Sequence, residues 1–306
     1  MKRLLLLMLV ALAAVALLAA CGDDDDDDDG GGDIPDGPTI EVGAFNFDES
    51  HILAQIYAQA LEAQGYPVGT GQIDPGSTRE IVQPAIESGE IDFVPEYVGS
   101  LLNFLGGTAT SDSDGNLEEA QGLFGAGTLL EMAPAQDTNA FVASADAAEQ
   151  NGLVNVSDLA DVAGELTLGG PPECPERDFC ALGLAEVYGV EFGDFVPLDY
   201  GPRITALSEN AIDVALLFST DAAISSNQFV VLEDDMGLQP AENVVPAVSS
   251  EVIEAYGDDF IAFVNSISAM ITTEDLQDLN ARVQVDQEDA EDVARDWLVE
   301  NGFLSE

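Results

Sequence analysis

The chain has 306 residues, 59 of them acidic and 7 basic, with a formal net charge of −52 at pH 7 and a single histidine. So negative a surface excludes nucleic acid and anionic lipid headgroups as docking partners, and it suits a cationic or zwitterionic ligand, or work in concentrated salt where screening removes self-repulsion. One histidine and no lysine beyond Lys2 leave little for catalysis, and no Walker A stretch, H-E-x-x-H or G-x-S-x-G elbow is present.

Residues 1–20 read as a lipoprotein signal peptide. Lys2-Arg3 precede an uninterrupted apolar run of 17 residues, Leu4 to Ala20, and Leu18-Ala19-Ala20-Cys21 forms a lipobox. Cleavage before Cys21 and transfer of a diacylglycerol to its thiol would leave a lipid-anchored protein on the outer, extracytoplasmic face of the cell membrane. The alternative is an uncleaved anchor, for which the run is near the lower limit of a spanning helix. In both cases the rest of the chain faces outward. Residues 21–38 contain an unbroken run of seven aspartates, Asp23 to Asp29, and then Gly30-Gly31-Gly32. Nothing there builds a core, so the segment reads as a self-repelling linker with a relaxed span of roughly 23 Å and a limit of about 58 Å. Its aspartates hold counter-ions loosely and offer no fixed metal geometry.

Residues 39–306 suffice for two lobes. Thr39 to Ala44 reads as a short strand. Apolar residues at 52, 53, 56, 57, 60 and 61 keep the helical period and predict a helix from Ile52 to Gly65. Asp48 or Asn46 is the expected cap, which puts His51 in the first turn and argues against a role for it as a base. Glu80 to Ser88 predicts a second helix ended by Gly89, and Ile91 to Pro95 a strand running into a proline-blocked turn. Asp112-Ser113-Asp114-Gly115-Asn116-Leu117-Glu118 alternates oxygen ligands like a calcium loop. Leu117 stands where an EF-hand needs glycine, however, so a polar surface loop is expected.

Further strands are expected at Asn139 to Ala143, Leu166 to Gly169, Phe195 to Leu198, Ile212 to Phe218 and Phe229 to Leu232, with helical segments between. Cys174 and Cys180 form an even pair in an oxidising compartment. A disulfide between them would pin Gly169-Gly170-Pro171-Pro172-Glu173 and stabilise by roughly 2.4 kcal/mol in the chain-entropy account. The last third predicts helices at Asp258 to Ile271, Thr273 to Val283 and Asp289 to Asn301, with caps at Thr272-Thr273-Glu274-Asp275 and Asp286 to Asp289. The alternation is that of an α/β protein with mainly parallel sheets flanked by helices and a helical C-terminal segment.

Ala44-Phe45-Asn46-Phe47-Asp48-Glu49, followed by Ile56-Tyr57-Ala58-Gln59-Ala60-Leu61-Glu62, resembles the opening of the quaternary-amine (glycine betaine/choline) substrate-binding proteins of ABC importers. Ser88-Gly89-Glu90-Ile91-Asp92-Phe93-Val94-Pro95-Glu96-Tyr97, Gly170-Pro171-Pro172-Glu173, Phe218-Ser219-Thr220-Asp221 and Val231-Leu232-Glu233-Asp234-Asp235 extend the resemblance in the same order. It implies a two-lobed periplasmic-binding-protein type II fold that closes over a ligand, with lobe 1 formed by residues 39–137 plus 243–306 and lobe 2 by 138–242. Members that bind trimethylammonium groups build a tyrosine cage, because a desolvated cation over aromatic faces gains around 2 kcal/mol. Three cage positions look altered here: Val94, Ile204 after Arg203, and Phe218.

The residues carried over as ligand-binding candidates are Phe45, Asn46, Arg79, Glu96, Tyr97, Asn139, Glu173, Tyr200, Arg203, Phe218, Thr220 and Asp221. Of Phe45 and Phe47, one is expected to face the cleft and one the core. Arg79 and Arg203 would fork onto a ligand carboxylate or pair with an acidic residue. Asn139, beside a lobe crossing, would bond the ligand or fix the hinge. The resulting reading is a monomeric, lipid-anchored receptor, without cofactor or metal, that delivers a betaine-type osmolyte to an ABC importer permease and its ATPase. The alternatives are the same role for an amino acid or another zwitterion, and a secreted hydrolase relying on His51 or a perturbed carboxylate.

Overall fold

A computed structural model describes residues 37–305, and the expected signal peptide, Cys21 and the aspartate run lie outside the described residues. The chain opens with β1 (Ile40–Phe45), α1 (Asp48–Ala63), β2 (Val68–Ser77), α2 (Arg79–Ser88), β3 (Phe93–Tyr97), α3 (Val98–Phe104), α4 (Ser113–Leu123) and β4 (Gly127–Leu129). It continues with β5 (Asn139–Ala143), α5 (Ala145–Asn151), β6 (Thr167–Gly170), a short α6 (Ala181–Gly183) running into a π turn, β7 (Asp194–Pro197), α7 (Tyr200–Ser208), β8 (Val214–Phe218), α8 (Ala222–Asn227) and β9 (Val230–Val231). The last elements are β10 (Val244–Ser249), α9 (Ser250–Ser268), α10 (Thr273–Gln284) and α11 (Ala290–Glu300).

Two five-stranded sheets result, ordered β2-β1-β3-β10-β4 and β7-β6-β8-β5-β9. Only half of the strand pairs are parallel, not most of them as the α/β rhythm suggests. β10 is antiparallel to β3 and β4, and β5 is antiparallel to β8 and β9. The reason is topological, since β5 and β10 enter their sheets straight from the crossings between lobes without a helix to reverse the chain. The Ile91–Pro95 strand also extends past its proline to Tyr97. Pro95 faces Pro246 in the register with β10, and the pairing of β3 with β1 is at Phe93, so the missing proline N–H removes no bond there.

Strand periodicity builds the second lobe from both sides of its sheet. Phe141, Val214 and Leu216 point into one apolar cluster, and Ala140, Val142, Ala215 and Leu217 into the other. The first sheet packs on α1, whose fully buried Tyr57 lies 5.1 Å from Phe93 between ring centroids and bonds Ser268 at 2.9 Å. The helix starts earlier than its apolar stripe: Phe47 is the N-cap residue, with no side-chain cap from Asn46 or Asp48. Ser50 instead turns back to accept the Phe45 N–H at 2.8 Å, and His51 is a first-turn residue bonded through its N–H to the Phe47 carbonyl.

Gly89 ends α2 in the left-handed conformation as its position predicts. Asp112 caps α4 by accepting from the Gly115 N–H, so the loop resembling a calcium site is a helix start. Thr272 and Asp275 form a capping box on α10, and Asp289 caps α11. Cys174 and Cys180 are bonded to each other across a Cα separation of 5.2 Å. Among the described residues no helix is long and apolar enough to cross a membrane.

The crossings between lobes are tied together. Gln136 bridges Asn243, the Asp137 N–H donates to the Glu242 carbonyl at 3.1 Å, and the Thr138 hydroxyl donates to the Pro240 carbonyl at 3.0 Å. From lobe 2, the Ser219 and Thr220 carbonyls accept from Gln277 and Asn280 of α10.

Candidate ligand-binding site

The cleft opens where β1, β3 and β8 end and the crossings pass between the sheets. One cavity of about 420 Å³ is lined by Phe45, Asn46, Phe47, Arg79, Tyr97 and Phe218 together with Asp137, Asn139 and Glu242. A second, of about 550 Å³, shares Asn46, Phe47, Asp137 and Phe218 with it and adds Glu49, Tyr200, Thr220, Asp221 and Asn280. The shared residues make the two cavities one cleft.

Aromatic faces come from both lobes. The β1–α1 turn turns Phe45 inward and leaves Phe47 42% exposed, and the two rings stack at 6.1 Å. Phe47 also lies 6.1 Å from Tyr97 at the end of β3. Across the cleft Tyr200, at the start of α7, and Phe218, at the end of β8, have centroids 6.5 Å apart and are 44% and 49% exposed. Both rings line the same cavity, where they form one aromatic patch. Sequence reading found Phe45, Tyr97, Tyr200 and Phe218, and it left open whether Phe45 or Phe47 faces the cleft.

Polar groups brace these rings. Arg79, the first residue of α2, grips the buried Glu96 with Nη2 to Oε2 at 2.8 Å and Nε to Oε1 at 3.3 Å, and its guanidinium stands 4.7 Å over the Phe45 ring. Burial pushes the Glu96 carboxyl up, and Arg79 pulls it part of the way back. Glu242 accepts from the Ser100 N–H and hydroxyl at 2.8 and 2.9 Å. Tyr200 donates its hydroxyl to Asp221, which caps α8.

Beneath the rings lies a network that sequence reading did not assemble. Glu49, 4% exposed in the first turn of α1, accepts from the Tyr97 hydroxyl and the Asn280 amide, both at 2.6 Å. Thr220 donates to Asp137 at 3.0 Å. Burial raises the Glu49 carboxyl, and it raises Asp137, with the charge of Glu49 adding to the effect, to about 8. Burial, with Glu49 beside it, also drives the Tyr97 hydroxyl well above its usual value. Glu49 and Asn280 are 231 positions apart, and nothing local marks Glu49 among 59 acidic residues or joins Asn280 to it.

Other expected site residues fall elsewhere. Val94 is wholly buried in the core of lobe 1, and Ile204 packs against the core of lobe 2. Neither position faces the cleft, because strand and helix periodicity turns both inward. Arg203 is 8% exposed, donates to the Leu216 carbonyl from behind Tyr200 and lines neither cavity. Glu173, beside the disulfide, is paired at 2.6 Å with Arg177 on the surface and likewise lines neither.

The chain as a whole has known relatives. Residues 38–300 match the family described as the substrate-binding domain of ABC-type glycine betaine transport systems. The glycine-betaine-binding protein of Pseudomonas aeruginosa is 32% identical over 286 residues, covering 88% of this chain and 89% of that one. The glycine betaine-binding protein YehZ of Escherichia coli is 28% identical over 280 residues, with 86% and 91% covered. The solved structure of apo YehZ superposes with a TM-score of 0.80 at 27% identity over 88% of this chain and all of that one. A crystal structure of a glycine betaine/carnitine/choline ABC transporter gives 0.79 at 23% identity, over 86% and 99%. The chain therefore belongs to the family of substrate-binding domains of ABC-type glycine betaine transport systems.

Proposed function

We propose that this receptor captures a quaternary ammonium compound of betaine type and presents it to an ABC importer, working as a monomer held to the outer membrane face by lipid on Cys21. The observation that carries the reading is the set of aromatic faces from both lobes, Phe47 and Tyr97 against Tyr200 and Phe218, around one acidic cleft. A quaternary ammonium cannot donate a hydrogen bond, so π faces and carboxylates are what recognise it. Closure of lobe 2 on lobe 1 would bring the two ring pairs over one head group, with Asn46, Asn139, Thr220 and Asp221 at the rim. Arg79 spends two of its donors on Glu96, and its remaining N–H groups are available to a ligand carboxylate. No chemistry on the ligand is called for, and His51 lines neither cavity of the cleft.

Thermal shift of the protein lacking residues 1–20 tests the reading. Glycine betaine, carnitine and choline should each raise the melting temperature, since a ligand at 100 times its Kd adds about 2.7 kcal/mol. Shifts with amino acids but with none of these three would replace the cargo.

A further inference from the structure

The Glu49–Asp137 pair contains more negative charge than its surroundings neutralise. Glu49 sits on α1, Asp137 on the crossing before β5, and the groups facing them from the packed elements are Tyr97 of β3, Tyr200 of α7, Asp221 at the start of α8 and Glu242 before β10. All of these are acids or phenols. The cation at this end of the cleft, Arg79, is taken up by Glu96.

Hydrogen counting points the same way. Thr220 directs its one hydroxyl hydrogen to Asp137 at 3.0 Å, and its carbonyl shares the Asn280 amide with Glu49, so one residue links the two carboxyls. Asn280 is 3% exposed and lines the cleft. Its Nδ2 has two acceptors, the Glu49 carboxyl at 2.6 Å and the Thr220 carbonyl at 2.9 Å, which fixes the amide orientation. Its Oδ1 is left buried without a donor. Two carboxyls and an orphaned amide oxygen thus converge on the cleft floor and lack something positive. Among the described residues no three acids are arranged to hold a metal ion.

We propose that Glu49 and Asp137 share one proton while the cleft holds no ligand, and release it to solvent when a cationic head group settles on the aromatic faces, so that capture is an exchange of a proton for a cation. This rests on the quaternary-ammonium reading and adds a criterion to it, because positive charge itself, beyond shape, becomes what the floor selects. The sign follows directly. A neighbouring cation favours the ionised carboxylate, so the bound state holds fewer protons and affinity rises with pH up to the carboxyl's own titration near pH 8.

The experiment is calorimetry of choline binding to the protein lacking residues 1–20, in buffers of different ionisation enthalpy. At pH 7 close to one proton should be released per choline, and affinity should rise up to about tenfold per pH unit between pH 6 and 8. The neutral carbon isostere 3,3-dimethylbutanol should release none. Asp137→Asn should abolish the release and flatten the pH profile. Should that variant not fold, carbon-detected NMR of the ligand-free wild type decides, with one side-chain carboxyl expected to titrate near pH 8. Choline binding with no proton released, or all carboxyls titrating below pH 6, overturns the exchange and leaves the cargo reading intact. Failure of choline and glycine betaine to bind at any pH overturns both.

Discussion

Phe218 ends β8 with its ring half exposed and Tyr200 beside it, whereas Phe45 at the same depth of lobe 1 is buried under the Arg79 guanidinium. The two phenylalanines therefore serve different ends, one a bare face for a cation and the other a wall already carrying one. Phe218→Ala should leave the fold intact and weaken glycine betaine and choline alike by about 1–2 kcal/mol, five- to thirtyfold in Kd by calorimetry. Unchanged affinity for both would place the head group elsewhere. Phe218 and Tyr97 were readable from sequence because they lie within short runs whose order is itself informative. Glu49, Asp137 and Asn280 were not, because their roles arise only when α1, a crossing and α10 meet. Val94 and Ile204 mislead for the opposite reason, since a motif position marks a place in the chain and burial decides which way its side chain turns.

At the scale of elements, helix–strand rhythm located most strands and helices to within a few residues, and the misses have physical causes. β10, Val-Val-Pro-Ala-Val-Ser, carries a proline in a central strand. α9 starts at Ser250, eight residues before the expected Asp258, because Gly257 interrupts it at φ 67°, ψ −151°. That conformation is open essentially to glycine alone. A Cβ there would meet no atom within 4 Å, so Gly257→Ala should cost about 1–3 kcal/mol from backbone strain alone, read as a lowered melting temperature with ligand affinity unchanged. The disulfide acts by another route. It closes a six-residue span between Cys174 and Cys180, and replacing both by serine should destabilise by about 2 kcal/mol. Because Glu173 points to Arg177 on the surface, that variant should keep its ligand affinity at temperatures where it is folded. Mass spectrometry after alkylation without reduction should find neither thiol labelled.

Two electrostatic burdens act on the whole molecule, and salt separates them. The net charge of −52 repels itself across a Debye length of about 30 Å at 0.01 M salt and 3 Å at 1 M. The carboxyls of Glu49, Asp137, Glu96 and Glu242 are raised mainly by burial, and dissolved ions screen buried groups little. An acid whose folded pKa is raised contributes its stability fully below its unfolded value, and that contribution is lost as pH climbs through the folded one. For Asp137 the window runs from about 4 to about 8. Glu80, Asp158, Asp235 and Glu288 are lowered by hydrogen bonds and act in the opposite direction at acid pH. The melting temperature should therefore rise with NaCl at pH 7, and fall from pH 5 to pH 9 at 10 mM NaCl. At 1 M NaCl the fall should persist in reduced form, because only the surface part is screened. Asp137→Asn should flatten what remains. Chloride is the salt to use, since sulfate strengthens burial by itself. A melting temperature indifferent to NaCl would remove surface repulsion as a burden, and a pH dependence that vanishes entirely at 1 M would show that the buried carboxyls do not contribute to it.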